Sequence, residues 1–433
     1  MLLYKCGIVF HICIRFYSEE EMPNNSIFYE RTGKTQIKYL SEHFPVVVIT
    51  GARQVGKSTL VKEFAAEKGG IQYVTLDYPI LRNLAKTDPE LFLQQYTTPV
   101  IIDEIQYAPE LLPYIKIRID ENRTNGMYYL TGSQMFRLMK HVSESLAGRA
   151  GILQLFGLSR AEILGYTECP FLPKNIVTQS EEKVPETITS VFDKIYRGSF
   201  PQMIVDEKIT PDAYFGEYLQ TYLERDIREL VEIKKERKFL QFLSCVAART
   251  GQELNLSDIA KDVEIDTKTV DNWLSLLVTS GIVILLQPYS GNTIKRIVKR
   301  PKLFMMDTGL ACYLGLWNNP RALEISAQAG NLFETYVISE IIKTYTNHGI
   351  DIRSRFSYYR DNNGKEIDLL IEENGVLYPI EIKKSVNPGK DALKNFTILE
   401  TLNKTIGKGC VISLSQMIIP LDFNNMLIPI SEI

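Results

Sequence analysis

The chain has 433 residues, enough for two or three domains with separate cores, and an ordinary globular composition of 45% apolar and 23% charged residues. A formal net charge of −3 gives no global attraction to nucleic acid, so any such role has to come from a local patch. Six scattered cysteines without a C-x-x-C pair argue against a zinc ribbon or a disulfide framework and suit a reducing, cytoplasmic setting.

In chain order, an apolar run at 6–14 comes first. It is shorter than the roughly 20 apolar residues a bilayer span takes, and no small-residue cleavage site precedes the acids at 19–21. Residues 1–21 read as a start-site artefact or a disordered N-terminus, with a weak signal or anchor as the alternative. No other stretch is a membrane candidate.

Short β-rich runs then alternate with helical stretches from about 45 to 160, the pattern of a parallel α/β sheet. The expected strands are Val46–Thr50, 72–76, Val100–Asp103, Tyr128–Thr131 and 152–156, with helices at Lys57–Lys68 and 110–123. We assign 22–165 to this first domain and 166–190, with its prolines and polar clusters, to a linker. A helical and winged-helix-like domain follows at 191–320, and an α/β domain at 325–433.

The strand VVVIT runs into Gly51, Ala52, Arg53, Gln54, Val55, Gly56, Lys57, Ser58 and Thr59, which is G-x-x-x-x-G-K-[ST] between a strand and a helix. The glycines let the backbone curl round phosphate oxygens with its N–H groups inward, and the helix beginning at Lys57 adds its positive end. Lys57 is expected to reach the β- and γ-phosphates of ATP, and the Ser58 hydroxyl to complete a Mg²⁺ shell. The strand VIID then ends in Asp103 and Glu104. Asp103 is expected to hold the metal, and Glu104 to orient and polarise the attacking water.

The strand before Gly132 ends in small polar residues, where an ATPase with an extra strand between its two nucleotide motifs carries a γ-phosphate sensor. The run 72–76 is a candidate for that extra strand. Thr131 or Ser133 could be the sensor, or could cap the next helix. Arg149 reads either as an arginine finger or as an ordinary salt bridge.

The middle segment has winged-helix proportions: Leu256, Ile259, Ala260 and Val263 share one helical face, Val270, Trp273, Leu274 and Leu277 another, and a β-run follows at 282–286. Lys295, Arg296, Lys299, Arg300 and Lys302 would suit a wing on DNA phosphates. The helix Thr267–Thr279, by contrast, offers only Lys268 beside Asp271, which is poor equipment for reading bases. DNA contact and an interdomain packing role therefore both stand.

In the last domain a helix at 331–345 places Phe333, Val337, Ile338, Ile341 and Ile342 inward, with Glu334 near its start. Two strands turned by Glu373-Asn374-Gly375 form a hairpin that puts Glu381 and Lys383 on one face. An acid on one strand and E-x-K on the next resembles the PD-(D/E)xK nuclease core. On that resemblance Asp368 and Glu381 would bind Mg²⁺, Lys383 would steady the attacking water, and Glu334 would add a carboxylate. Solvent-facing charges on an ordinary strand are the plainer alternative.

GARQVGKSTL, VIIDEIQ, YYLTGSQ, SLAGRAG, TYLERDI, PKLFMMDTGL and EIDLLIEENGVLYPIEIKKS together resemble the AAA-type ATPases of bacteria and archaea that carry a C-terminal domain of unknown function. The resemblance implies a P-loop ATPase domain, a winged-helix-like middle and a restriction-endonuclease-like tail, with the site residues as above. Gln202 in GSFPQM stands where that family has an acid, which puts the role of this turn in doubt. Two functions follow: an ATPase coupled to a nuclease-like tail acting on nucleic acid, or a nucleotide-gated module whose inactive tail binds a protein partner. A third, a non-hydrolysing ATP sensor, predicts no effect of Glu104→Gln.

Overall fold

The apolar run VVVIT makes β1 (Val46–Thr50), buried at every position because helices cover both faces of its sheet. The computed structural model, which describes residues 28–132, 145–176, 186–222, 236–290, 300–361 and 363–433, builds this sheet from five parallel strands. With β2 (Gln72–Thr75), β3 (Val100–Asp103), β4 (Tyr128–Thr131) and β5 (Ala150–Gln154), the order is β2-β3-β4-β1-β5. Strand alternation sends Val47, Ile49, Ile101 and Tyr129 to one face, against α1 (Gly33–His43) and α2 (Lys57–Lys68). Val46, Val48, Val100 and Tyr128 face α3 (Pro79–Thr87), α4 (Pro89–Gln95) and α5 (Leu111–Glu121) in a separate core.

Two strand expectations need correction. The run 72–76 is the edge strand β2, and β4 takes the place between β1 and β3. The fifth strand begins at Ala150, ahead of the expected 152.

After α6 (Arg160–Leu164), the stretch expected to be a linker is packed instead. Glu168, Phe171 and Leu172 are buried, and α7 (Ile188–Arg197) has started before 190. Phe171 N–H donates to Thr344 Oγ1 at 3.0 Å, and the Tyr345 hydroxyl donates to the Phe171 carbonyl at 2.9 Å. These long-range bonds, which local composition cannot show, hold the segment against the last domain. Residues 177–185 lie outside the described residues.

The middle of the chain contains α8 (Pro201–Val205), α9 (Pro211–Tyr222), α10 (Glu236–Ala247), β6 (Gln252–Glu253), α11 (Leu256–Val263), α12 (Thr267–Thr279), β7 (Val283–Leu286) and β8 (Lys302–Met305). Between α9 and α10, residues 223–235 lie outside the described residues. The three strands form a small antiparallel sheet in the order β6-β8-β7. Asn255 and Asp266 cap α11 and α12 with their side chains. Next come α13 (Thr308–Leu314) and α14 (Pro320–Glu324).

The last domain sets α15 (Ala329–Thr346) against a mixed sheet of β9 (Phe356–Arg360), β10 (Glu366–Glu373), β11 (Val376–Lys383), β12 (Thr405–Ile406), β13 (Gly409–Ser413), β14 (Ile419–Pro420) and β15 (Asn425–Pro429). Its path is β14-β15-β13-β11-β10-β9, with β12 paired to β11. Asn374 and Gly375, at φ 52° and 78°, turn the β10–β11 hairpin as two left-handed residues of the kind that matches strand twist. All five apolar positions expected to face inward on α15 are buried, but so are Thr335, Ser339, Glu340 and Lys343. The helix is enclosed on every side rather than amphipathic. One apolar cluster joins Ile37 of α1 to Ile433.

Candidate nucleotide site and the acid cluster of the last domain

The loop between β1 and α2 has the shape its glycines require. Gly51 sits at φ 143° with Leu155 beside it, so a Cβ there would collide with the Leu155 carbonyl oxygen. Gly56 caps α2 at φ 93°, and Gln54 is left-handed at φ 61°. Lys57 is buried, and its Nζ donates to the Gly51 and Ala52 carbonyls at 3.1 and 2.7 Å. Beneath the loop, Arg31 donates from Nη1 to the Val55 carbonyl at 3.0 Å and from Nη2 to the Phe156 carbonyl at 2.9 Å.

At the carboxyl edge of the sheet, Ser58 Oγ donates to Asp103 Oδ1 at 3.0 Å. The Tyr73 hydroxyl donates to Asp103 Oδ2 at 2.6 Å, and Thr131 Oγ1 donates to Asp103 Oδ1. Helix α2 and strands β2, β3 and β4 thus converge on one carboxylate. Thr131 Oγ1 is thus engaged with the acid, while Ser133 and the helix expected after it lie outside the described residues. Glu104 leaves β3 in a left-handed conformation at φ 58°, and Gln106 Nε2 donates to its Oε2. Burial lifts the Glu104 carboxyl above its ordinary value, opposed by Gln106 and Lys57. One hydroxyl and one carboxylate held together fit Mg²⁺ beside nucleotide phosphates, because this ion keeps most of its shell as water and phosphate oxygen.

Arg149 resolves as a salt bridge. Its Nε and Nη2 donate to Asp120 at 2.7 and 2.9 Å. It precedes β5, whose Ala150 pairs with Val46 at the start of β1, so it stands at the sheet edge opposite the P-loop.

Two residues that the sequence reading missed matter here. Tyr73 orients Asp103, and nothing in its strand sets it apart from any other aromatic. Arg31 ties the P-loop to the last domain: its Nε lies 3.1 Å from Glu162 Oε1, the acid of the capping box that starts α6. The same oxygen accepts from Asn347 Nδ2 at 3.4 Å, directly after α15. Next to it, Arg160 N–H donates to Glu340 Oε2 at 2.7 Å, Lys343 Nζ donates to the Leu158 carbonyl at 3.0 Å, and Arg160 Nη1 reaches the Ser431 carbonyl at 2.9 Å.

In the last domain the expected acids gather, but around a lysine. Lys302, at the start of β8, is 3% exposed; its Nζ lies 2.9 Å from Glu334 Oε1, pairs with Glu366, and lies 3.9 Å from Asp368 Oδ1. Asp368 Oδ2 also accepts the Ile382 N–H at 2.8 Å, and Lys383 Nζ pairs with Glu381 Oε1 at 2.5 Å. Two ammonium groups, Lys302 and Lys383, among the carboxylates of Glu334, Glu366, Asp368 and Glu381 leave surplus negative charge out of water, so burial first, and then Asp368, lift Glu334 to about 8 and Glu381 to about 7. Burial also raises Asp368, opposed by Lys302 and Lys383.

The metal assignments to Glu334, Asp368 and Glu381 are corrected accordingly. Among the described residues no group of three His, Cys, Asp or Glu side chains could hold a metal ion. The cation here is Lys302, so this donor set does not fit a divalent ion. Lys302 is by the same token unavailable to DNA phosphates, which corrects its place in the basic wing. Arg300 is exposed, and Lys295, Arg296 and Lys299 lie outside the described residues.

Residues 43–164 match the model of the AAA domain, and this segment is an AAA-type P-loop domain that binds nucleotide. Residues 188–327 and 329–433 match two domains of unknown function, DUF8612 and DUF4143. Uncharacterized proteins of Mycobacterium bovis and Mycobacterium tuberculosis are each 25% identical over 360 residues, 83% of this chain and 74% of theirs. Among solved structures, a Walker-type ATPase of Pyrococcus abyssi is 16% identical with a TM-score of 0.42, over 66% of this chain and 96% of that one. The RuvB Holliday junction branch migration motor of Thermotoga maritima is 17% identical with a TM-score of 0.29, over 59% of this chain and 90% of that one. No helix among the described residues is long and apolar enough to cross a membrane.

Proposed function

We propose that the chain is a Mg²⁺-dependent ATP hydrolase whose last domain reads the nucleotide state. The observation that carries this is the convergence of Ser58, Tyr73 and Thr131 on Asp103, beside a P-loop whose Lys57 is already turned across it. Bound Mg²⁺ would supply charge neutralisation at the β- and γ-phosphates, with Ser58 and Asp103 as the residues to hold it. The inward N–H groups of 51–59 and the Lys57 ammonium bind phosphate. Thr131 and Tyr73 fix the rotamer of Asp103. Glu104, with its proton affinity raised by burial, accepts the proton of the attacking water.

Coupling runs through the buried set Val55, Arg31, Glu162 and Asn347, which connects the loop to the end of α15 by hydrogen bonds. A change in the loop that moves the Val55 carbonyl acts on this set, in the manner of a phosphate-ordered switch. The three strands with α10, α11 and α12 support a winged-helix reading of the middle, used here for packing between domains. The hairpin that carries Asp368, Glu381 and Lys383 supports a nuclease-like lineage for the last domain. Its acids do not fit a metal, and the domain serves as the output module for a protein or nucleic-acid partner. The scattered cysteines suit the cytoplasm.

The test is phosphate release from Mg²⁺–ATP by wild type and Lys57→Ala, with and without DNA. Turnover lost in Lys57→Ala supports the hydrolase. Stimulation by DNA makes the partner a nucleic acid, indifference to DNA favours a protein, and turnover that survives the substitution refutes the site.

A further inference from the structure

The turn GSFPQM at 198–203 and the Asp307-Thr308-Gly309 step that opens α13 are far apart in sequence, yet the fold brings both to the P-loop. We propose that Asp307 is a positioning residue for nucleotide binding: it clamps the turn 198–201 so that Pro201 braces Gly56, and so ties the segment 188–327 to the phosphate loop. The proposal rests on the nucleotide-site reading and adds to it a route separate from the pair of Arg31 and Glu162.

Asp307 is buried and caps α13. Its Oδ2 accepts the Ser199 N–H at 2.7 Å and the Ser199 hydroxyl at 2.9 Å, while Oδ1 accepts the Leu310 N–H at 2.8 Å. A carboxylate that holds three donors is a strong, directional clamp. Two glycines let it close. Gly198 is left-handed at φ 77°, and a Cβ there would lie 2.5 Å from Asp307 Oδ1; a Cβ on Gly309 would lie 2.7 Å from the Arg197 carbonyl oxygen. From the other side the Leu158 N–H, just past β5, donates to the Ser199 carbonyl at 2.8 Å. Phe200 is buried, its ring centroid 5.0 Å from that of Tyr218. Pinned at Ser199 and Phe200, the turn presents Pro201 to the P-loop. A Cβ built on Gly56 would stand 3.8 Å from the Pro201 ring, an ordinary van der Waals contact.

Gly56 holds φ 93° where α2 begins, the bend that aims the N–H groups of the loop at phosphate. A proline ring is rigid and brings no N–H of its own, so beside Gly56 it limits how far the bend can relax without competing for phosphate. The brace runs through Pro201 and not through Gln202, so the acid missing at 202 does not bear on it.

The experiment measures Mg²⁺–ATP binding by calorimetry in the full chain carrying Glu104→Gln, so that turnover does not intrude. Pro201→Ala and Asp307→Asn are each expected to weaken binding about fivefold or more. Combined, they are expected to weaken it no further than the stronger of the two alone, because Asp307 acts through Pro201. Additive losses overturn the proposal, since an Asp307 that only stabilised the fold would cost affinity whatever stood at 201. Parent affinity in the Pro201→Ala chain overturns it too, and this arm leaves Asp307 in place, so it decides even where circular dichroism shows Asp307→Asn unfolded. Lys57→Ala in the same background separates the two readings. Weak binding there with an unaffected Pro201→Ala chain sinks the brace alone, whereas parent affinity in Lys57→Ala sinks the nucleotide site and the brace with it.

Discussion

Arg31 and Glu162, 131 positions apart, form a buried ion pair at 3.1 Å, and the same guanidinium holds the Val55 carbonyl of the P-loop at 3.0 Å. Removing one member of such a buried pair costs about 3–5 kcal/mol, because the other is left charged and out of water. Arg31→Met is therefore expected to lower folding stability by an amount of that order. It should also weaken nucleotide affinity, through the freed loop, while Glu162→Gln, which leaves Arg31 charged but still bonded to the Val55 carbonyl, should cost similar stability and less affinity. Denaturant unfolding and nucleotide titration of the two variants check this; equal affinity in wild type and Arg31→Met would sink the coupling.

Glu104→Gln separates binding from chemistry. General-base contributions are worth about 10²–10⁴ in rate. The variant is expected to bind Mg²⁺–ATP as wild type does and to lose turnover within that range. Unchanged turnover would leave a nucleotide sensor in place of a hydrolase.

Arg149→Ala is the matching negative case. Its ion pair with Asp120 is partly exposed and at the far edge of the sheet, so the expected turnover per chain is that of wild type. A hundredfold loss in single-chain conditions would show that the guanidinium reaches a nucleotide after all.

The acid cluster sets the sign of a pH dependence. Glu334 titrates near 8 in the folded chain against an ordinary 4.5, so the native state holds a proton that the unfolded chain releases. Stability supplied by this group is thus full at low pH and is lost as pH rises from about 4.5 to about 8. Thermal midpoints measured across that window should fall less steeply in Glu334→Gln than in wild type. Parallel curves would mean that Glu334 is ionised in the fold.

The P-loop was legible because its chemistry constrains local backbone. Gly51 and Gly56 are required by the curl itself, and an apolar strand must precede them. The approach of Asp368 and Glu381 was legible too, since the Asn374-Gly375 hairpin sets their strands side by side, whereas Glu334 comes in from α15. What the residues could not show was which cation answers them. Lys302 stands in a run of basic residues and reads locally as a phosphate contact; only the folding of β8 against β10 and α15 makes it an interior counter-ion. Segment 166–190 was misread for the same reason, because prolines and polar residues advertise a loop while Phe171 and Glu168 find partners 170 or more positions away. Arg31 gave no local signal at all, since its acceptors Val55, Phe156 and Glu162 come from two stretches of chain remote from it in sequence.

The enclosure of α15 bears on how this chain can be taken apart. A helix with Glu340, Lys343 and Thr344 as sheltered as its leucine and isoleucines has no wet face to present when cut loose. A fragment beginning at Ala329 would bare salt-bridged charges and apolar rungs together, and would shed the strand that brings Lys302. Such a truncation would be sticky, and any partner it captured would report on the cut and not on the intact chain.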